Sequence, residues 1–363
     1  MKKKAYHGGA FWDGISPDFN SLEKSTDIIN ADVLDAWFDP SPKVIEKVSQ
    51  FLPLVVKTSP PTHSEGLIKA ISESRKIPEN YIVVGGGSSD LMFALFPNIL
   101  KKNGKVLILD PMYGEYAHIF ENVLDVRLIR HKLAADQDFI IDYNLLNEAI
   151  QSNNPQVVVL VNPNSPTGKY WGKENIVKLV ESYKSIIFVV DETYIEYVGK
   201  EESIERETER FHNLVVIKSM SKVYALSGAR VGYVVSHPDI LEKFYSFIPP
   251  WSVSLAGQIA GVEALKDEEY YNEQYEKTRI LRENMIAGLQ NRNIKLFDSV
   301  ANFFLVQLKN GSAENIVTEL RKQNIYLRNC NSMSSQFQDN FIRIAVKDEN
   351  TNKIVIEALQ KLL

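Results

Sequence analysis

The middle of the chain alternates short apolar runs with stretches of helical period, and this pattern predicts most of the architecture. Tyr81 to Val84 reads as a strand running into Gly85-Gly86-Gly87, with a helix from Ser88 to about Leu100. Lys105 to Asp110 and Val126 to Leu133 read as the next strands. A helix from about Tyr143 to Ile150 leads to a strand at Val157 to Asn162, and a helix from Glu174 to Tyr183 to a strand at Ile186 to Asp191. Asn213 to Ser219 and Arg230 to Ser236 complete the series. Such alternation predicts an α/β fold with a large, mostly parallel, doubly wound sheet. Ahead of it, Ser41-Pro42 reads as an N-cap followed by Pro at the first helical position, opening a helix to about Leu52. Thr62-His63-Ser64-Glu65 has the form of a capping box for a helix to about Arg75.

From Pro249 the character changes. Two long helical stretches, about Val253 to Lys266 and Glu268 to Gln290, precede strands at Asn302 to Leu308 and Phe341 to Val346 and a helix from Asn350 to the end. This predicts a smaller α+β domain. The expected division is an N-terminal arm and substrate loop over 1–40, a large domain over 41–248 and a small C-terminal domain over 249–363.

Composition narrows the function. A chain of 363 residues exceeds one ordinary core. Its net charge of -5 gives no basic footprint for nucleic acid. The single cysteine, Cys330, rules out a disulfide framework and fits a reducing cytosol. Met1-Lys2-Lys3-Lys4 starts like a signal peptide, but no apolar stretch follows it, and runs such as Val157 to Val161 are too short to span a bilayer. A cytoplasmic protein without a membrane partner is expected. None of the six histidines pairs at metal-binding spacing, so no metal is expected.

The candidate chemistry centres on Lys222, in Ser219-Met220-Ser221-Lys222 followed by Gly228-Ala229-Arg230. Upstream lie Asn162-Pro163-Asn164-Ser165-Pro166-Thr167-Gly168 and Asp191-Glu192-Thr193-Tyr194. Together they suggest a pyridoxal phosphate (PLP) site. A lysine can carry the cofactor aldehyde, an aspartate can keep a pyridine nitrogen protonated, and an arginine with small hydroxyls can hold a phosphate. Gly85-Gly86-Gly87-Ser88-Ser89 opens a helix, where free N–H groups suit an anion. Each feature has a plainer reading: Asp191 as a helix cap, Tyr194 as core, Arg230 as a surface ion pair. What favours chemistry is that several fall just after strands, where ligands bind in open α/β sheets. Ser219-Met220-Ser221-Lys222 also matches the Ser-x-x-Lys of penicillin-recognising enzymes, but its Ser-Asp-Asn and Lys-Thr-Gly partners do not occur.

From Tyr81 to the C-terminus these motifs resemble the fold type I PLP enzymes of the class I/II aminotransferase group. The nearest likeness is to histidinol-phosphate aminotransferases and to threonine-phosphate decarboxylases of cobalamin synthesis. The resemblance implies that Lys222 bonds the cofactor and then shuttles the substrate α-proton. It implies that Asp191 pairs with the pyridine nitrogen, that Tyr194 hydrogen-bonds the phenolic oxygen and that Tyr113 stacks on the ring. Ser88, Ser89, Ser219, Ser221 and Arg230 would bind the phosphate. Arg343 would clamp the substrate carboxylate, with Asn164 a further substrate contact. His7-Gly8-Gly9, Pro250-Trp251-Ser252-Val253 and Leu327-Arg328-Asn329-Cys330 look more like the decarboxylase, which makes His7 and Arg328 candidate substrate contacts. A homodimer with shared sites is also implied.

The chain departs from the family at three places. Ser165 stands where Asn is usual beside the phenolic oxygen. Lys57-Thr58-Ser59-Pro60-Pro61-Thr62-His63 lacks the tyrosine that usually reaches the neighbouring subunit. The substrate loop Asp32-Val33-Leu34-Asp35-Ala36-Trp37-Phe38-Asp39 carries three aspartates, which would favour a cationic side chain over a phosphate. Transamination of an α-amino acid is therefore the first expectation. Decarboxylation is the alternative, then elimination or cyclisation on a modified cationic (guanidino) amino acid. A binding protein that kept the fold without the chemistry stands last.

Overall fold

The computed structural model of the chain describes residues 8–290, 292–334 and 336–363. Among the described residues twelve strands are present: β1 (Ile29–Ala31), β2 (Ile82–Gly85), β3 (Lys105–Asp110), β4 (Arg127–Lys132), β5 (Val157–Val161), β6 (Ile187–Asp191), β7 (Leu214–Ser219), β8 (Gly232–Ser236), β9 (Ile294–Phe297), β10 (Phe303–Leu308), β11 (Ile325–Asn329) and β12 (Phe341–Ala345). Seven form one sheet in the order β2-β8-β7-β6-β5-β3-β4. Its pairs are parallel except the two made by β8, so β8 alone runs against the rest. Strand β5 is Val-Val-Val-Leu-Val and wholly buried, as expected where helices cover both faces. The order reverses at β3, which has β4 on one side and β5 on the other, and the carboxyl ends of β3 and β5 carry the Asp110 and Asn162 turns. Chain reversal of this kind opens a crevice at strand ends.

The second sheet, β1-β11-β12-β10-β9, mixes one parallel pair with antiparallel ones. Its first strand comes from the N-terminal segment: Ile29, Asn30 and Ala31 pair with Ile325, Tyr326 and Leu327. The substrate loop that follows β1 is thereby tied to the C-terminal sheet. Sequence pattern missed β1, β9 and β11 because each is short and its neighbours are polar.

The apolar core falls into two clusters. The larger lies around the seven-stranded sheet and includes Val253, Ala260, Ala264, Leu265 and Tyr271. The smaller contains Met285, Leu289, Phe303, Phe304 and Val355. The helix Leu255–Leu265 thus packs with the large sheet, although it lies beyond the expected division at 249. The packing favours a division inside the helix Glu268–Leu289, whose two ends serve different cores. The other helices form close to expectation, as at Pro42–Gln50, Ser88–Ile99 and Lys173–Ser182. The capping box does not form. Helix Glu65–Arg75 starts from Ser64, whose backbone is left-handed (φ 60) and whose side chain makes no cap bond. Among the described residues, no helix is long and apolar enough to cross a membrane.

Candidate active site

A cavity of about 390 Å³ opens where the two sheets meet. Ser88, Ser89, Tyr113, Ser165, Asp191, Tyr194, Ser219, Ser221, Lys222, Arg230, Arg328 and Arg343 all line it. They come from seven separate stretches of chain, most of them just past strand ends. Two expected residues are not there. Asn164 is buried beside the cavity rather than on its wall, because its amide donates to Pro111 O at 3.0 Å and to Thr167 Oγ1 at 3.1 Å. It braces two loops. His7 lies outside the described residues, but its neighbour Gly8 lines the cavity, against Asp32.

Asp191 ends β6 with a fully buried carboxylate. Thr193 donates to Oδ1 from its N–H (2.9 Å) and its hydroxyl (2.6 Å), and Tyr116 donates to Oδ2 at 2.8 Å. Burial pushes its carboxyl above the usual range, against the pull of these bonds. A buried carboxylate whose hydrogen-bond donors among the described residues are all neutral favours a cationic N–H brought beside it. Thr193 and Tyr116 carried no sequence signal beyond lying near Asp191 and Tyr113.

At the other end of the cavity, helix Ser88–Ile99 presents its first turn. Gly87, with φ 98, is a position that a side chain would strain, and a Cβ there would meet Arg230 Nη2 at 2.5 Å. The guanidinium therefore lies over the glycine, close to the free N–H groups of the helix start. Gly232, opposite, brings β8 so near that a Cβ would meet Ser88 N at 2.7 Å. Ser219 Oγ accepts the Ser221 N–H at 3.3 Å, which caps the one-turn helix Met220–Val223 that carries Lys222. A helix N-terminus, four serine hydroxyls and an arginine form a donor set fitted to a phosphate. One feature opposes it: Glu115 accepts from Ser89 Oγ (2.6 Å) and Tyr113 Oη (2.8 Å) at the same end. Burial, and Glu115 after it, hold the Tyr113 phenol well above its ordinary range.

Arg343, on β12, reaches the cavity from the small sheet. It donates to Ser165 Oγ at 3.0 Å and to Asp32 O at 2.9 Å, and it lies over the Phe303 ring at 5.5 Å. Its Nε has no hydrogen-bond partner among the described residues. Burial pulls its guanidinium below the usual range, so an anion there would be favoured. Arg328, on β11, is paired with Asp32 at 3.7 Å. Tyr194 is buried and packs edge-on against Phe303 at 5.2 Å. Lys222 Nζ is 2.7 Å from Asp35 Oδ1. Burial pulls its ammonium below the usual lysine value and Asp35 opposes the shift.

Behind this wall sits a buried ionic cluster. Lys218 of β7 pairs with Glu192 at 3.2 Å and Glu196 at 2.8 Å, while Arg75 pairs with Glu196 at 3.4 Å and with Glu205. It joins the ends of β6 and β7 and so fixes Asp191 relative to Ser219 and Lys222. Elsewhere, His212 and His237 stack at 3.5 Å beside Asp239, a convergence that their spacing in sequence conceals.

Residues 27–359 match the family model of aminotransferase class I and II, and the chain belongs to that family. It is a PLP-dependent enzyme of the aminotransferase family. Among its relatives is the histidinol-phosphate aminotransferase of Clostridium beijerinckii, 30% identical over 333 residues, covering 90% of this chain and 88% of the relative. The histidinol-phosphate aminotransferase of Sinorhizobium meliloti, solved in complex with pyridoxal-5'-phosphate, superposes with a TM-score of 0.83 at 21% identity over 94% of each chain. The L-threonine-O-3-phosphate decarboxylase of Porphyromonas gingivalis superposes with a TM-score of 0.76 at 22% identity, over 92% of this chain and 99% of that one. At these identities the two structures speak for the fold.

Proposed function

We propose that this chain transaminates an α-amino acid bearing a second anionic group, with Lys222 as the lysine that bonds PLP. The observation that carries the reading is the convergence of Lys222, Asp191 and Arg343 on one cavity. When bound, the cofactor supplies an aldehyde for the substrate amine and a ring that delocalises the electron pair left at the α-carbon. Asp191 would hold the proton on the ring nitrogen, since the hydrogen-bond donors to its buried carboxylate among the described residues are all neutral. Ser88, Ser89, Ser219, Ser221 and Arg230 would bind the phosphate, and Tyr113 would pack on the ring. Tyr194 and Ser165 would donate to the phenolic oxygen. Lys222 Nζ would take the α-proton and return it one position away, the step that distinguishes transamination. Arg343 would hold the substrate carboxylate and exclude water at that wall.

The substrate class follows from charge. Asp32 is already engaged, by Arg328 and by the Gly9 N–H at 2.8 Å, Asp35 is paired with Lys222, and Asp39 is exposed. Asp32 and Asp35 are thus each balanced by a cation, although Asp32 Oδ1 makes no hydrogen bond among the described residues, and the two buried arginines, Arg328 and Arg343, favour an anionic substrate. Decarboxylation is the second reading, favoured by Gly8 and Arg328 on the cavity wall. Assaying phosphorylated, dicarboxylic and cationic amino acids with 2-oxoglutarate, with carbon dioxide measured in parallel, tests both. Turnover of phosphorylated or dicarboxylic substrates to oxo acids is expected. Turnover of cationic ones alone would overturn the substrate class, and carbon dioxide without oxo acid would replace transamination by decarboxylation.

A further inference from the structure

The contact between Lys222 and Asp35 joins residues 187 positions apart. Asp35 is held there by contacts on both sides: Asn302 Nδ2 donates to Leu34 O at 3.0 Å and Arg343 Nη2 to Asp32 O at 2.9 Å, and the Trp37 side chain donates from Nε1 to Thr278 Oγ1 at 2.8 Å. The loop is thus fixed to both cores, and its carboxylate is aimed at one amine. Ser227 Oγ lies 3.4 Å from Lys222 Nζ on another side. A second lysine completes the arrangement. Lys347, just past β12, is half-buried, and its Nζ donates to Asp35 O at 3.4 Å. Both Lys222 and Lys347 act electrostatically on the Asp35 carboxyl and hold it below its usual range, although burial is the largest influence and opposes them.

Lys222 is otherwise crowded by cations. Arg230 faces it from the segment after its own helix, and Arg343 from β12; both depress its ammonium, as burial does first. Tyr194 and Asp191, from the end of β6, line the same cavity. Asp35 is the anion that offsets these cations at hydrogen-bond distance. A lysine that bonds a cofactor must also leave the carboxylate, and a half-buried carboxylate that loses the cation at hydrogen-bond distance is left poorly compensated. Lys347 supplies a second cation for that moment.

We infer that Asp35 is a positioning residue that holds the Lys222 amine and sets its basicity, with Lys347 as the standing counter-ion that lets Lys222 leave it. Its importance for catalysis rests on the reading of Lys222 as the PLP lysine. The basicity itself can be measured without cofactor, by competitive acetylation of the PLP-free protein across a pH series, with the Lys222 peptide read by mass spectrometry. In Asp35→Asn the midpoint of Lys222 reactivity should fall by about one pH unit or more, and Asp35→Glu should restore most of it. Lys347→Met, which leaves Asp35 in place, should move the midpoint upward, and it carries the test if Asp35→Asn does not fold. An unchanged midpoint in the variant measured overturns the inference, because a merely structural loop residue would not move it. Adding PLP to unacetylated wild-type protein from the same preparation separates the two claims. Absence of a visible band overturns the functional reading while leaving the acetylation result to decide the basicity.

Discussion

Lys347 shows what burial does to a charge when its partner is shared. Burial, opposed by Asp35, pushes its ammonium down from the usual 10.5 to about 8. The folded chain therefore binds fewer protons at this site than the unfolded chain between about pH 8 and 10.5. The cost is present in full below pH 8 and is relieved as pH rises toward 10.5. Lys347→Met should remove a cost of about 3 kcal/mol at pH 7, and its stability difference from the parent should shrink across that window in denaturant unfolding. A difference independent of pH would contradict this. Asp191 offers a second test. Asp191→Asn keeps the Thr193 and Tyr116 geometry but removes the negative charge, so turnover should fall on the order of 10²-fold or more while PLP still binds; unchanged turnover would count against its role. Lys222, Asp191 and Arg230 were legible in sequence because each stands in a short motif after an apolar strand. The partners that tune them were not: Asp35 lies 187 residues from Lys222 and Tyr116 lies 75 from Asp191, separations that leave no local period, while Thr193 stands inside the Asp191 motif without a signal of its own. Asn164 shares its motif with a residue that reaches the cavity, but its own amide NH2 donates to Pro111 O and Thr167 Oγ1 beside the wall.

At the scale of elements, the site depends on where β6 and β7 end and β8 begins. Lys218 lies in an otherwise apolar strand, Leu-Val-Val-Ile-Lys-Ser, yet it is fully buried against Glu192 and Glu196. From sequence it is an interruption, because its partners lie on the following turn of a different strand. Lys218→Met should cost about 3–5 kcal/mol, since it leaves two buried carboxylates without this cation. A loss below about 1 kcal/mol in urea unfolding would show that the cluster does not hold these strands. Gly232→Ala tests the phosphate end. Its Cβ would press on backbone atoms of Gly87 and Ser88, so the variant should fold with weakened PLP affinity, read by equilibrium dialysis. Wild-type affinity would mean that the helix start does not hold the phosphate. The alternation of strand and helix made the large sheet legible. It left β11 and β1 unseen, and with them the reason that the N-terminal loop reaches the cavity.

At the scale of the whole molecule, the cavity is assembled by two sheets and by a loop that belongs to the first 40 residues but pairs with the last 40. The change of pattern near Pro249 marked a second domain, but helix Leu255–Leu265 returned to the first core because its small residues, Gly257, Ala260 and Gly261, allow close packing there. Apolar side chains remain exposed on the first helices and on the segment before Trp251, among them Ile45, Leu52, Val56 and Phe247. Exposed apolar surface of this kind fits a second copy of the chain. Light scattering should then give about twice the 41.3 kDa chain mass, whereas a monomer mass at assay concentration would contradict the shared-site expectation.

The central claim is that Lys222 bonds PLP in this cavity. The most direct measurement is the visible absorption spectrum of the purified protein after incubation with PLP, beside that of Lys222→Ala. The account predicts a band in the wild-type protein that borohydride removes with covalent labelling of Lys222, and none in the variant. A wild-type spectrum identical to free PLP, or a protein-bound band that survives in Lys222→Ala, would contradict it.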